Sequence, residues 1–472
     1  MPDAPAQSPL FAQVVANNLC VGCGMCAAVC PSVARMRMNE YGAYVAEPAQ
    51  GLAAPGESER ARKVCPFGDR DDNEDTVGKR LFAHQPGIDH RGEVGYFLTS
   101  WVGAVTNAPD RIASSSGGIT TWILRDLLAN RLVDAVVCMG DARSPGLFFE
   151  YRIARSVEEL DGCRKSRYYP GEVSRVIAEM RSTGERFAFA GLPCFVKALR
   201  FAAMEDERLN AQLICAISIF CGHLKTARYA DYLARSCGLD ESSVRAIDYR
   251  KKFEGQQPNH YVFEAQYEEQ GRMQSRSIDM RKVFASSWSF NLFMPKACDY
   301  CDDVVGELAD VSLGDAWLPE YLPEWRGTNI VLCRTAWLRD RLEAARARGD
   351  LQVAPLPIAR VIQSAEGALR HRRQGLSFRL ALDQRRGYWR PRKRVPATWG
   401  GISPFRILVQ LLRMKIGRKS HEAFRRQRAK PGLAQFRRAL APWVFLHDGL
   451  YAGARWLQRI RARSRRGPDE RR

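Results

Sequence analysis

Between residues 20 and 31 the chain reads Cys20-Val-Gly-Cys23-Gly-Met-Cys26-Ala-Ala-Val-Cys30-Pro31. Four thiols spaced C-x2-C-x2-C-x3-C and followed by proline constrain the backbone more than any other stretch of the sequence. Three closely spaced thiolates converge on three irons of one 4Fe-4S cube. Small residues such as Gly22 and Gly24 let the backbone wrap that cube and aim amides at its sulfurs. A zinc knuckle uses two separated pairs instead, so the run reads as an iron–sulfur motif. In two-cluster ferredoxins the fourth cysteine of such a run ligates the other cluster. A second Cys-Pro stands at Cys65-Pro66 with no C-x2-C-x2-C ahead of it. The first cube is therefore assigned to Cys20, Cys23, Cys26 and Cys65. Cys30 stays open as the alternative fourth ligand, or as a ligand to a neighbouring cluster.

The chain holds fourteen cysteines. Residues 1–18 have neither the basic start nor the apolar stretch of an export signal, and no apolar run reaches the ~18 residues of a spanning helix. A cytoplasmic location is expected, in which thiols stay reduced and grouped cysteines bind metal or do redox chemistry. Cys298-Asp-Tyr-Cys301 is a C-x2-C pair. Cys194 follows the strand-like run Arg186–Ala190, and Cys221 follows the strand-like run Leu213–Ile219. Ligands of open α/β sheets collect beyond the carboxyl ends of strands, so these four could form a second thiolate site. On spacing alone, Cys194 and Cys221 read equally well as small core residues. Cys138, Cys163, Cys215, Cys237 and Cys333 read as core or incidental.

With 472 residues, 46% of them hydrophobic, the chain can bury a large core and is long enough for several domains. Residues 1–10 read as a frayed Pro-rich start, 11–70 as a small ferredoxin-like cluster module, and 71–94 as a linker. Residues 95–340 alternate strand and helix patterns, among them strands Val133–Cys138 and Phe187–Ala190 and helices Ile119–Leu132 and Pro193–Ala203. This predicts an α/β domain with a mixed sheet, α+β overall with the module. A charged helical extension over 341–395 and a basic amphipathic tail over 396–472 follow. From Arg370 onward there are 29 basic and 5 acidic side chains, whereas the other 369 residues hold 43 basic and 47 acidic.

Arg111-Ile-Ala-Ser114-Ser115-Ser116-Gly117-Gly118-Ile-Thr120 opens a helical pattern. Free amides, hydroxyls and a positive dipole end there suit a dinucleotide pyrophosphate, although a plain serine-capped helix start reads as well. Arg164-Lys165-Ser166-Arg167-Tyr168-Tyr169 mixes cations with aromatics, as a phosphate-and-ring contact or a solvated loop would. His223, in Phe220-Cys221-Gly-His223, reads as a proton donor or as a structural histidine, so no catalytic residue is named.

In this order the motifs resemble the family of beta subunits of the deazaflavin-coenzyme (F-420) hydrogenases and dehydrogenases. The same family includes plant 7-hydroxymethyl chlorophyll a reductase and the cyanobacterial ferredoxin-dependent divinyl reductase. The residues that carry the likeness are the run Cys20–Pro31, Ser115-Ser116-Gly117-Gly118 with Thr120, Lys165–Tyr168, Gly191-Leu-Pro-Cys194, Phe220–His223, Lys296–Cys301, Ala309–Trp317 and Gly327-Thr-Asn329. The resemblance implies an FAD-binding α/β domain and a 4Fe-4S cluster beside the flavin held by Cys194, Cys221, Cys298 and Cys301, so two clusters in all. It implies flavin contacts at Ser115, Ser116, Gly117, Gly118, Thr120 and Lys165. The chain departs from the family pattern in Gly-Leu-Pro-Cys for Gly-Thr-Pro-Cys and in Ser-Arg-Tyr for Ser-Lys-Tyr.

The expectation is an iron–sulfur flavoprotein oxidoreductase. It would take electrons from a ferredoxin-like donor and pass them to a small-molecule substrate or a deazaflavin coenzyme. Several bacterial members of the family look like accessory proteins of surface-polysaccharide gene clusters. A non-enzymatic electron-transfer subunit that feeds a partner enzyme stays open beside it. In the tail, Phe405, Leu408, Leu412 and Ile416, then Trp443, Leu446, Leu450, Ala454, Leu457 and Ile460, recur at helical spacing. Arg461, Arg463, Arg465 and Arg466 follow. That pattern predicts a peripheral helix on an anionic membrane surface or helices packed on the domain. Apolar faces have no use in phosphate binding, which argues against nucleic acid.

Overall fold

Apolar runs bounded by turn residues build the central sheet. Its strands are β1 (Thr99–Val105), β2 (Ala135–Asp141), β3 (Phe149–Ala154), β4 (Phe187–Gly191), β5 (Leu213–Ile219), β6 (Val311–Asp315), β7 (Asn329–Cys333) and β8 (Leu351–Pro355). The computed structural model describes residues 8–465, with side chains as far as Leu457. Strand order is β8-β1-β7-β6-β5-β4-β2-β3. The middle four, β6, β5, β4 and β2, run parallel, and the flanking pairs are antiparallel. This is the mixed α/β sheet the alternating pattern predicts. Every residue of β4 and β7 is buried, as expected of strands covered on both faces. The parallel strands share one carboxyl edge, and the residues following β4 and β5 meet there.

Helix α1 (Ile119–Ala129) follows the serine-rich turn, and α2 (Pro193–Met204) follows β4, with proline at its first position. A separate antiparallel sheet of Val244–Lys251, Val262–Glu269 and Arg272–Asp279 lies outside the main one. The N-terminal module is a hairpin of Ala34–Met38 and Tyr44–Pro48 with short helices at Met25–Val29 and Glu57–Lys63. It does not stand apart. Met25, Val29 and Val33 share one apolar core with Val176, Ile177, Phe195 and Leu199, and Val173 N–H donates to Cys23 O at 2.8 Å.

Several sequence expectations need correction. Ser8 and Leu10, placed in a frayed start, are buried. The expected linker 71–94 contains a helix, Glu74–Phe82. It begins in a capping box, in which Asn73 Oδ1 accepts from Thr76 N–H and Thr76 Oγ1 accepts from Asn73 N–H. The acidic run around that box reads as solvated, which hides the helix start. Glu74 is buried and accepts from Lys197 Nζ at 3.0 Å. The extension 341–395 is not an appendage either. β8 pairs with β1 in the main sheet, and helices α3 (Ile358–Arg372) and α4 (Gln374–Arg385) reach beneath the sheet's carboxyl edge.

The basic segment around residue 393 is equally structural. Arg392 pairs with Asp69 at 3.1 Å, Lys393 with Asp302 at 3.1 Å, and Arg394 with Asp75 at 2.8 Å and Glu307 at 2.7 Å. It straps the module to the sheet domain, and its cations are answered by acids of the near-neutral body. The tail folds as α5 (Pro404–Gln427) and α6 (Ala434–Arg465). Leu412 and Ile416, offered to a membrane by their spacing, are buried; Ile416 joins Phe424 and Phe436 in a core with Tyr232 and Phe293. Of the predicted second face, Leu446 and Leu457 are exposed, while the side chains of Ile460, Arg461, Arg463 and Arg465, and Arg466 as a whole, lie outside what the structure describes.

Candidate active site

The serine-rich turn is held by contacts from far along the chain. Arg111 donates to Gly327 O at 3.0 and 2.7 Å, Ser116 Oγ to Thr328 O at 3.0 Å, and Ile119 N–H to Asn329 Oδ1 at 3.2 Å. The motif Gly327-Thr-Asn329 is thus the other half of the turn. Lys252 Nζ clamps the same place, donating to Arg111 O at 2.7 Å and Ser116 O at 3.1 Å. No local pattern marks Lys252. The N–H groups of Thr120 and Thr121 take no acceptor among the described residues, since Ile119 is held by Asn329 and Trp122 returns to Gly118 O. Two free amides at the start of a three-turn helix can receive an anion.

These residues open onto a cavity of about 390 Å³ along the sheet's carboxyl edge, within the range of cofactor sites. Ser115, Ser116, Gly118, Thr120 and Lys165 line it, together with the rings of Tyr168, Trp288 and Trp317. Gly117 does not. A side chain there would meet Gly103 O at 2.6 Å and Asn329 Oδ1 at 2.8 Å, so this glycine packs against the sheet. Ser115 Oγ accepts from Ser166 N–H at 2.7 Å, and Lys165 Nζ pairs with Asp248 at 2.5 Å. His223 stands against Trp288 at 4.4 Å, and its Nε2 has no partner. Burial, with Lys225 and Arg372 nearby, holds its pKa well below the ordinary range, so the ring is neutral.

Cys194, Cys221, Cys298 and Cys301 line one small cavity behind the first, joined there by Val21 and Phe67 of the module. Cys221 lies on both cavities. Burial pushes the thiols of Cys194, Cys221 and Cys298 up, and mutual repulsion adds to it. A cation-rich group would reverse that shift and draw the four sulfurs as thiolates. Arg372, at the end of α3, supplies one fixed buried charge: it donates to Cys298 O and Gly222 O at 2.7 Å each. Despite burial, the four thiols keep it firmly protonated. Sequence reasoning missed it, 71 residues beyond Cys301 in a helix read as an appendage.

In the module, Cys20, Cys23, Cys26 and Cys65 form a second group. Burial raises each thiol, and other members of the group raise Cys23, Cys26 and Cys65 further, with Glu172 adding to the effect on Cys23. Cys30 stands apart: burial raises it to about 11, and its charged neighbours are Glu57, Arg60 and Arg181. Gly24 sits at φ +83°, where any side chain would meet the Glu172 carboxylate at 2.5 Å. The two groups adjoin, because Cys23 is among the neighbours that raise Cys194. Among the described residues, no three His, Cys, Asp or Glu side chains close on a point that one metal ion could occupy. A zinc site draws its sulfurs onto one ion by bonds of about 2.3 Å, whereas a cube gives each of four irons its own thiolate and spreads them wider.

Known proteins place the chain. The family described as "Coenzyme F420 hydrogenase/dehydrogenase, beta subunit" matches through its N-terminal part over residues 101–178 and its C-terminal part over 184–358. A 4Fe-4S binding domain matches 14–36. A subunit of the F(420)H(2) dehydrogenase of Methanosarcina mazei is 22% identical over 364 residues, covering 74% of this chain and 88% of its own length. An uncharacterised protein of Methanocaldococcus jannaschii is 23% identical over 342 residues, covering 68% and 85%. A chain of the F420-reducing nickel–iron hydrogenase complex of Methanosarcina barkeri aligns with 62% of this chain and 96% of its own, at 18% identity and a TM-score of 0.48. The chain belongs to the family of coenzyme F420 hydrogenase/dehydrogenase beta subunits, and is an iron–sulfur oxidoreductase with a 4Fe-4S binding domain at its N-terminus.

Proposed function

We propose that the protein is an FAD-dependent reductase. It takes single electrons from a ferredoxin-like donor at the module and delivers pairs to a small molecule, a deazaflavin coenzyme being the first candidate, in the 390 Å³ cavity. Cys20, Cys23, Cys26 and Cys65 would hold one 4Fe-4S cluster, and Cys194, Cys221, Cys298 and Cys301 the other. The observation that carries the reading is the position of Cys221, shared between the inner thiol group and the cavity of the serine turn. When bound, FAD supplies the exchange between one- and two-electron chemistry that the clusters lack. The protein's own contribution is placement. The Thr120 and Thr121 amides and the dipole of α1 receive phosphate, Tyr168, Trp288 and Trp317 wall a flat ring, and Arg372 offsets the charge of the inner site. The neutral ring of His223 borders the space that a substrate would enter.

Thr120→Glu tests the flavin site. Glutamate in a first helical turn favours the helix, so the fold is kept. Gly118, at φ +85°, would confound the same test. Two negative charges ~4 Å apart at an effective dielectric of 20 repel by about 4 kcal/mol, so flavin affinity should fall at least about tenfold. Titration of flavin-stripped protein with FAD measures this; unchanged affinity would sink the phosphate assignment. Reduction of oxidised deazaflavin by the chain alone, with only a chemical reductant as electron source, separates an enzyme from a subunit that only passes electrons to a partner.

The same proposal places the C-terminal helices on an anionic membrane surface, by Phe445 and Trp456 together with Leu446 and Leu457 of the face the spacing indicated. No helix among the described residues is long and apolar enough to cross a membrane. On α6, Phe445 is 70% exposed, Leu446 47%, Trp456 62% and Leu457 50%. Positions 445, 449, 452 and 456 share a helical face, and Arg437, Arg438 and Arg455 are exposed on the same helix. Each basic residue near an anionic leaflet contributes about 1 kcal/mol, and the apolar ring edges add burial. Truncation before α5 is the wrong test, because it strips Ile416 and Phe424 from the core. Flotation of the full chain with phosphatidylserine vesicles should succeed at low salt and fail for Phe445→Ser/Trp456→Ser. Equal flotation of both proteins, or of neither, refutes this attachment.

A further inference from the structure

Two cysteines read as incidental stand together on the cavity wall. Cys138 lies on β2 and Cys163 ends the helical turn Glu158–Cys163; both border the 390 Å³ cavity. Residues two apart on a strand share a face, so Cys138 and Gly140 point the same way. The space that a side chain at Gly140 would fill is taken by Cys163 Sγ, which would lie 2.7 Å from a Cβ at that position. Cys163 Sγ donates to Glu159 O at 3.8 Å, and the two thiols shift each other's titration in opposite directions, Cys138 up and Cys163 down. They differ in setting. Cys138 is buried, while Cys163 is half-buried beside Arg152 and Arg167. Neither belongs to the eight cysteines of the two proposed cluster sites, and neither follows a strand end as Cys194 and Cys221 do.

We propose that Cys138 and Cys163 form a redox-active dithiol/disulfide couple that exchanges an electron pair with small disulfides or dithiols entering the cavity. The inference does not rest on the flavin reading, since it needs only the pair and an open cavity. The neighbouring Cys138 and the guanidiniums of Arg152 and Arg167 favour the thiolate of Cys163, and a thiolate is the attacking species in exchange. Its sulfur attacks one sulfur of a small disulfide, that S–S bond breaks, and one small thiol leaves. The Cys138 sulfur then attacks Cys163 Sγ, the Cys138–Cys163 bond forms, and the second small thiol leaves. The pair loses two electrons and the small disulfide gains two, while the two protons of the pair end on the two released thiols. Run backward, a small dithiol reduces the couple.

The experiment uses cluster-loaded full-length protein held anaerobically in oxidised/reduced glutathione buffers of stepped ratio. Free thiols are alkylated and peptides mapped by mass spectrometry, with flavin content and iron content followed in parallel. A peptide linking Cys138 to Cys163 should appear at a defined ratio, disappear on return to reduced buffer, and leave the iron content unchanged. In Cys138→Ser the resolving thiol is gone, so Cys163 should instead retain glutathione as a stable mixed disulfide. In Cys163→Ser, Cys138 should remain alkylatable throughout. No linked peptide in fully oxidised buffer, or no mixed disulfide on Cys163 in Cys138→Ser, overturns the proposal. A linked peptide formed equally with and without bound flavin keeps it, whatever the fate of the flavin assignment.

Discussion

Anaerobically reconstituted protein should carry about eight irons and eight acid-labile sulfides per chain, two full cubes. Cys221→Ser should bring both values to about four, because the thiol shared by the inner site and the cavity is lost while the module keeps its own four. Cys65→Ser should also leave about four, with the inner cluster's spectrum intact, whereas Cys30→Ser should leave all eight. The last contrast follows from the structure. Cys65 reaches the module thiols although it is 39 residues beyond Cys26, while Cys30 faces Glu57, Arg60 and Arg181. Iron and sulfide analysis with electron paramagnetic resonance of the reduced protein reads each outcome. A reproducible value near four for the unaltered chain would rule out the second cluster, and full iron in Cys65→Ser would return the fourth position to Cys30.

Arg394→Met should cost about 3–5 kcal/mol of stability, the usual consequence of removing one partner from a buried ion pair. Against a total of about 5–15 kcal/mol for native proteins, this is among the largest effects any single change in the chain should have. Arg394 is buried, donates to both Glu307 and Asp75, and has Glu74 and Asp302 within 4.0 Å. Burial pushes the Glu307 carboxyl up to about 7 even with Arg394 in contact. A group raised in this way contributes stability below its unfolded value that is lost as pH rises through about 7. Without Arg394 the carboxyl rises further, so the variant's deficit should widen as pH increases through about 7 and narrow below it. Urea midpoints followed by tryptophan fluorescence at pH 6 and pH 8 give the comparison. Arg394→Met/Glu307→Gln should recover part of the loss; a double variant no more stable than the single one would show that the pair itself is not what the arginine supports.

Both predictions turn on contacts with different histories in the sequence. The cysteine run was legible because a cube's first ligands come from one short loop, and loop spacing is local. For Cys194 and Cys221 only the position at a strand end was legible. The apolar runs before them are β4 and β5, strands that end where the pattern ends, and adjacent parallel strands must bring their carboxyl ends together. The serine turn was legible in composition but only half so in detail. Ser115, Ser116, Gly118 and Thr120 do face the cavity, whereas Gly117 turns to the sheet, a difference that no residue type announces.

What the sequence determined by itself was therefore everything set by spacing within a turn, a strand or a loop: the module's thiol run, the alternation that makes a mixed α/β sheet, the helix start at Ile119 and the excess of cations after Arg370. Tertiary structure alone decided which partners those elements meet. It left Cys30 beside Glu57, Arg60 and Arg181, brought Arg372 to the inner site and Lys252 to the serine turn, set Cys163 against the strand that carries Cys138, and directed Arg392, Lys393 and Arg394 to acids of the body rather than to a distant surface. The physical reason is range. Backbone preference and side-chain periodicity act over a few residues, so they leave a trace in the chain, but a buried charge or thiol takes its partner from whatever the folded core places beside it.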